Sequence, residues 1–125
     1  MILDTNALSA LAAKDTRLQQ KIAPATHIAV TLISLGEYEF GLLNSSYRTE
    51  LEAWLSSLLT KIDLIQPNRQ TLPYYAAIRH ELKVAGNPIP ANDVWIAALV
   101  RQHNMPLLSR DRHFDAVDGI DRVEW

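Results

Sequence analysis

Short, largely apolar runs recur along this chain of 125 residues, at Ile2-Leu3, Ile28-Ala29-Val30, Ile62 to Ile65 and Met105 to Leu108, with helix-period segments between them. That alternation constrains the fold more than any other feature. Neighbouring parallel strands need crossovers of about a dozen residues or more, usually helical, and strands covered on both faces read as short apolar runs rather than as an alternating pattern. Ile120 to Trp125 can add a short fifth strand. The expectation is one domain over residues 1–125, a three-layer α/β/α fold with a mostly parallel sheet and helices on both faces.

The helical segments follow from spacing. Asn6 can cap a helix carrying Leu8, Leu11 and Ala12, and Lys14 to Ala25 places Leu18 and Ile22 on one face before Pro24 ends it. Thr31 reads as the N-cap of a helix with a Leu35, Tyr38, Leu42 stripe, and Arg48 to Leu59 turns Leu51, Leu55, Leu58 and Leu59 inward. Thr71 to Val84 is helical, beginning after Asn68 with Pro73 near its start, and Gly86-Asn87-Pro88-Ile89-Pro90 is a rigid loop that cannot continue it. Ala91 to Gln102 is apolar on nearly every face through Val94, Ile96, Ala97, Ala98, Leu99 and Val100, which predicts a central helix.

Composition removes several classes of function. Zero cysteines exclude disulfides and thiolate metal sites, so a metal would be held by oxygen or imidazole. No stretch approaches ~18 uninterrupted apolar residues and nothing resembles a secretion signal, which predicts a cytoplasmic protein without a membrane span. Four scattered glycines cannot form a Walker loop or a dinucleotide fingerprint. Twelve Lys+Arg against fourteen Asp+Glu give a formal charge of -2, not the basic footprint of an ordinary nucleic-acid binder. Clustered acids around bound cations would weaken that objection, since the ions invert the local field.

The polar residues at the strand ends carry the chemistry. Asp4 closes the first strand and Asp111 follows the fourth, both at the carboxyl edge where open α/β sheets bind ligands. A carboxylate between Leu3 and a helix is costly to bury unless paired or metal-bound, though it can also serve as a charged cap. Thr5 and Asn6 can orient it by hydrogen bonds. Asp93 stands in the first turn of the apolar helix, where the helix dipole already favours an acid. Glu37 has two open readings: Ser34-Leu35-Gly36-Glu37 fits a capping box, whereas a Thr31 cap frees its carboxylate. Asp115 shares the Asp111 face if residues 112–116 are helical, and Phe114 between them is an anchor against the sheet. Among four histidines without metal-ligand spacing, His113 can touch a phosphate beside Asp111. Arg110 and Arg112 flank Asp111 and are candidates for phosphate contact, with solvated loop residues as the alternative.

Oxygen ligands in this number suit Mg²⁺ or Mn²⁺, and two or three carboxylates plus water leave room for phosphate oxygens. Such an ion orients a phosphodiester, neutralises developing charge and acidifies an attacking water. The expected site is therefore Asp4, Asp93 and Asp111 on one ion or a pair, joined by Glu37 if its carboxylate is free of cap duty, with Thr5, Asn6 and Asp115 around it.

Four segments, in order, carry a family likeness: Leu3-Asp4-Thr5-Asn6; Thr31 through Glu37 ahead of Gly41; Ile89 through Ala98 with Asp93 and Trp95-Ile96-Ala97-Ala98; and Leu108-Ser109-Arg110-Asp111 followed by Phe114. On these the chain resembles a PIN-domain ribonuclease, and within that family the toxin half of a VapBC-type toxin–antitoxin pair. The likeness runs from Met1 to about Trp125. It implies a sheet of order 3-2-1-4-5 and an acidic quartet at Asp4, Glu37, Asp93 and Asp111, with Asp115 as an outer member and Ser109 as the small hydroxyl residue before the last acid. It also implies an RNA substrate, a homodimer, and a VapB-like antitoxin that covers the acids. Two other readings remain: a Mg²⁺-dependent phosphatase acting on a small phosphate ester, and a non-catalytic PIN-like interaction domain.

Overall fold

The computed structural model describes residues 1–125. Five strands, β1 (Ile2–Leu3), β2 (Ala29–Thr31), β3 (Asp63–Ile65), β4 (Leu107–Leu108) and β5 (Arg122–Val123), form one sheet in the order β3-β2-β1-β4-β5. Every neighbouring pair is parallel. The helices are α1 (Thr5–Ala12), α2 (Thr16–Ile22), α3 (Leu32–Leu42), α4 (Arg48–Leu58), α5 (Leu72–Val84) and α6 (Ala91–His103), and single 3₁₀ turns precede α5 and follow β4. The three-layer parallel fold expected from the sequence and the strand order implied by the family likeness are those observed. No helix is long and apolar enough to cross a membrane.

Side-chain alternation along the strands divides the core. Ile2 is in register with Ala29 and Leu107, and these three face one side with Ile78 and Leu82 of α5 and Ile96 to Val100 of α6. Leu3, Val30 and Leu108, one residue on, face the other side with Leu8 of α1, Leu35 and Tyr38 of α3 and Leu55 of α4. All the strand residues named are fully buried. A one-residue slip of β1 would exchange the two sets, so the packing fixes the register that brings Asp4 to the sheet edge.

Several boundaries differ from the sequence reading. α1 begins at Thr5 with Asp4 in the extended N-cap position, so Asn6 lies inside the helix rather than capping it. α2 begins behind Asp15, whose Oδ1 accepts from the Arg17 and Leu18 amides at 2.9 and 3.1 Å, leaving Lys14 outside in a left-handed conformation. Thr71 belongs to a 3₁₀ turn closed by a reciprocal Asn68–Thr71 capping box, and α5 starts only at Leu72. β4 and β5 are each two residues long, with Leu107 paired to Ile2 and Arg122 and Leu108 to Leu3 and Val123. α6 is central as expected and stops at Asn104, which takes the left-handed conformation common at helix ends.

Candidate metal centre

Asp4 leaves the tip of β1 and is 4% exposed. Its Oδ2 accepts from Ser109 Oγ at 2.6 Å and Asn6 Nδ2 at 3.2 Å, while Oδ1 accepts from Ser34 Oγ at 3.3 Å. Burial pushes its pKa up, and the bonds from Ser109, the Thr5 amide and Ser34 only partly oppose this; the charge of Asp111 adds to the rise. Ser109 links the two strand ends, since its Oγ also accepts from Asn6 Nδ2 at 3.3 Å and from the Asp111 amide at 3.0 Å. Asn6 Oδ1 completes the bridge by accepting from the Arg110 amide at 3.1 Å.

Thr31 is the cap of α3: its Oγ1 accepts from the Ser34 amide at 3.0 Å. That geometry removes the Ser34 capping box and leaves Glu37 in the second turn, half-buried, with its carboxylate free of cap duty. Burial raises the Glu37 pKa first, then the charges of Asp4 and Asp93, against a hydrogen bond from Thr5; Asp111 raises it further. The Thr5 hydroxyl also reaches the Ser34 carbonyl at 3.4 Å.

Asp93 lies in the first turn of α6 and is 9% exposed. Asp111 caps the 3₁₀ turn Arg112–Ala116, its Oδ1 accepting from the His113 amide at 2.9 Å. That turn swings the His113 ring between two acids, with Nδ1 3.1 Å from Asp93 Oδ2 and 3.2 Å from Asp111 Oδ1. Both neighbours are acceptors, so Nδ1 carries the hydrogen in this arrangement. Burial raises the Asp93 pKa, the charge of Asp111 raises it further, and the His113 hydrogen bond opposes both. Ligand atoms of Asp93, Asp111 and His113 lie within 4.8 Å of one another.

This donor set can hold a divalent cation. Two carboxylates suit hard cations, and an imidazole that loses its Nδ1 proton adds a donor acceptable to Mn²⁺ and other transition ions. Asp4 and Glu37 lie outside the compact set but are close enough for their charges to be felt by it. The sequence reading gave His113 only a phosphate contact, because no histidine-to-histidine spacing pointed to a metal. The available signal was its position two residues after Asp111, where a turn capped by that acid folds the ring back.

The remaining site candidates separate. Asp115 is exposed and gives both carboxylate oxygens to Arg122, at 2.6 Å to Nε and 3.0 Å to Nη2. Arg122 Nη1 also donates to the Ser109 carbonyl at 3.0 Å, so it ties together both ends of the segment bearing Asp111 and His113. Sequence reasoning missed Arg122, whose partners lie on another strand and turn. Arg110 stacks over the Trp125 ring at 4.3 Å and donates to the Trp125 carbonyl oxygen at 2.9 Å, whereas Arg112 is exposed with only Glu124 nearby, at 4.0 Å.

The raised acids make a pH prediction. Unfolded Asp and Glu titrate near ~4, and Asp4, Glu37 and Asp93 titrate higher in the fold. Between those values the folded state binds more protons, so these groups contribute stability that is full at low pH and lost as pH rises through the folded pKa values. Exposed Asp115 and Glu124, both lowered by Arg122, work in the opposite direction on the acid side. The difference in melting temperature between wild type and Asp93→Asn, measured in chelator, should therefore grow as pH rises from ~4 to 7. A difference independent of pH would show that Asp93 is not held above its ordinary range.

A parallel sheet of order 3-2-1-4-5 with acids gathered at its carboxyl edge, where the order reverses between β1 and β4, defines an α/β protein built to hold a polar ligand at a topological switch point. The sequence matches the family model of the PIN domain over residues 1–120, and the chain belongs to that family. It is 28% identical to ribonuclease VapC5 of Mycobacterium tuberculosis, covering 98% of this chain and 91% of that protein. It is 24% identical to ribonuclease VapC1 of Haemophilus influenzae, covering 99% and 96%. Among solved structures, DNA-bound VapBC2 of Rickettsia felis superposes with a TM-score of 0.86 at 23% identity, covering 99% of this chain and 97% of that one. The VapBC-5 complex of M. tuberculosis gives 0.77 at 26%, covering 98% and 97%. The PIN fold of this chain is thus homologous to several toxins of VapBC toxin–antitoxin systems, and its Asp/His cluster is consistent with a metal-dependent nuclease-like activity in general.

Proposed function

We propose that this protein is a Mg²⁺- or Mn²⁺-dependent endoribonuclease, the toxin member of a VapBC-type pair. The observation that carries this reading is the convergence of Asp93, Asp111 and His113 within 4.8 Å beside the charges of Asp4 and Glu37. Asp93 and Asp111 would hold the cation, and His113 would offer Nδ1 as a third donor in the tautomer that carries its hydrogen on Nε2. When bound, the ion supplies electrophilic stabilisation of the phosphoryl oxygens and an acidified water. Asp4, fixed by Ser109, Asn6 and Ser34, adds negative charge beneath the site and keeps the Asp111 loop in register with β1. Glu37 stands at the open edge with a raised pKa, a carboxylate suited to taking a proton from the attacking water. Asp4 is a poor phosphoenzyme nucleophile, since it is buried and both its oxygens accept hydrogen bonds. That favours the nuclease over the phosphatase reading.

A VapB-like antitoxin is part of the same proposal, supported by the VapBC complexes that this chain resembles, and a homodimer is carried with it as what the family likeness implies. The test is cleavage of single-stranded RNA by the purified protein with Mg²⁺ or Mn²⁺, against a chelator control, followed by sequencing of the new 5′ ends. Defined cuts that vanish with chelator are expected, and intact RNA with either ion would overturn the reading.

Of the two arginines flanking Asp111, Arg112 is the one placed to meet phosphate, because Arg110 is held on Trp125 whereas Arg112 is exposed and paired only at 4.0 Å with Glu124. A backbone contact positions the strand without reading sequence. On a cleavage-dead background, Arg112→Ala should weaken binding alike across RNA sequences and lower the salt slope by about 0.7–1. An unchanged slope would route the strand elsewhere.

A further inference from the structure

Beside Glu37, an open cleft of about 530 Å³ lies between α3 and α6. Leu32, Gly36 and Phe40 follow the i, i+4 spacing along α3, and Asn92 and Trp95 stand three apart on α6, so one face of each helix lines it. Glu37 belongs to the same wall and feels the charges of Asp4 and Asp93, so the cleft adjoins the acids. Phe40 is 72% exposed, so its ring is available to a ligand at the edge of the cleft. Trp95 is stacked on Tyr75, ring centroids 4.0 Å apart and planes 22° from parallel, and Tyr75 does not line the cavity. The indole, half-buried and braced by Tyr75, contributes to the lining from α6. Fixed and exposed aromatic surfaces with one side-chain amide suit a flat heterocycle that stacks and presents a polar edge.

We propose that this cavity is a nucleobase subsite, taking one unpaired base of the RNA beside the scissile phosphate. The inference rests on the nuclease reading and extends it to substrate selection. Phe40 and Trp95 stack the base, and Asn92 supplies an amide that both donates to and accepts from its edge. Gly36 provides the room: a Cβ built there meets nothing within 4 Å, so a side chain added at this position starts into open space on the cleft wall. Helix propensity also favours such a replacement over glycine.

Gly36→Leu is accordingly the decisive variant. Wild type and variant are given the same pool of randomised single-stranded RNA with Mn²⁺, and nucleotide frequencies at each position around the cut are compared as ratios within each digest. Wild type should show a base preference at one position next to the cut, and Gly36→Leu should flatten that position alone. On an Asp4→Asn background, an RNA with an abasic residue at that position should bind roughly 5- to 100-fold more weakly than the intact strand, and Gly36→Leu should erase the difference. Cleavage by both proteins with identical preferences overturns the subsite while leaving the nuclease reading intact. No cleavage by wild type overturns both. If Gly36→Leu loses self-association or antitoxin binding but keeps the wild-type preference, the cavity is a protein contact and the subsite is wrong.

Discussion

Asp4→Asn is expected to reduce metal-dependent RNA cleavage by at least ~10²-fold while the folded protein stays intact. Disturbing a residue that merely supports a metal ligand commonly costs ~10–100-fold in affinity or activity. Asp4 supports the Asp111 loop through Ser109 and also contributes charge to the site. Stability should move the other way. In metal-free protein Asp4 is a buried carboxylate whose charged form is opposed by desolvation and by Asp111. Asparagine keeps an oxygen toward Ser109 and Asn6, and its amide can donate to Ser34 Oγ once that hydroxyl reorients. At pH 7 in chelator the melting temperature should equal wild type or exceed it by up to ~4 °C, about 1 kcal/mol for a chain of this length. Wild-type cleavage by the variant would remove Asp4 from the active site, and a fall in melting temperature beyond ~5 °C would mean that its hydrogen bonds outweigh its charge.

Phe114→Ala should produce the largest loss of stability among these variants. Phe114 is 1% exposed and packs in the core with α6, at the middle of the 3₁₀ turn that carries Asp111 and His113. Truncating such a ring costs ~3–5 kcal/mol, or roughly 10–20 °C in melting temperature for this length. The turn loses its anchor at the same time, so Mn²⁺ affinity should fall in protein still folded at low temperature. Titration of Mn²⁺ by calorimetry at 10 °C, beside thermal denaturation, separates the two effects. Unchanged Mn²⁺ affinity in folded Phe114→Ala would show that Arg122 and Ser109 hold the acid without the ring.

Periodicity and punctuation made the architecture legible in the sequence. The apolar runs marked strands covered on both faces, the fully apolar Ala91 to Gln102 segment marked the central helix, and Thr31 was one of two readable caps for α3, the choice that frees Glu37 being made by the structure. These are local signals, each set by the backbone demands of one element. The acids at strand ends and at the start of α6 were legible for the same reason, since a charge next to a buried element sits at its boundary.

What the sequence by itself determined is a three-layer parallel fold with acids at its carboxyl edge. The tertiary structure alone decided which groups meet there. The Asp111-capped turn folds His113 back between two acids, Arg122 reaches across from β5 to Asp115 and the Ser109 carbonyl, and Arg110 is drawn onto Trp125 while Arg112 stays exposed. None of these contacts has a spacing rule, because each joins residues through packed elements whose relative placement is set by the two cores. Side-chain chemistry says what a residue can bind, and only the packing says what lies within reach.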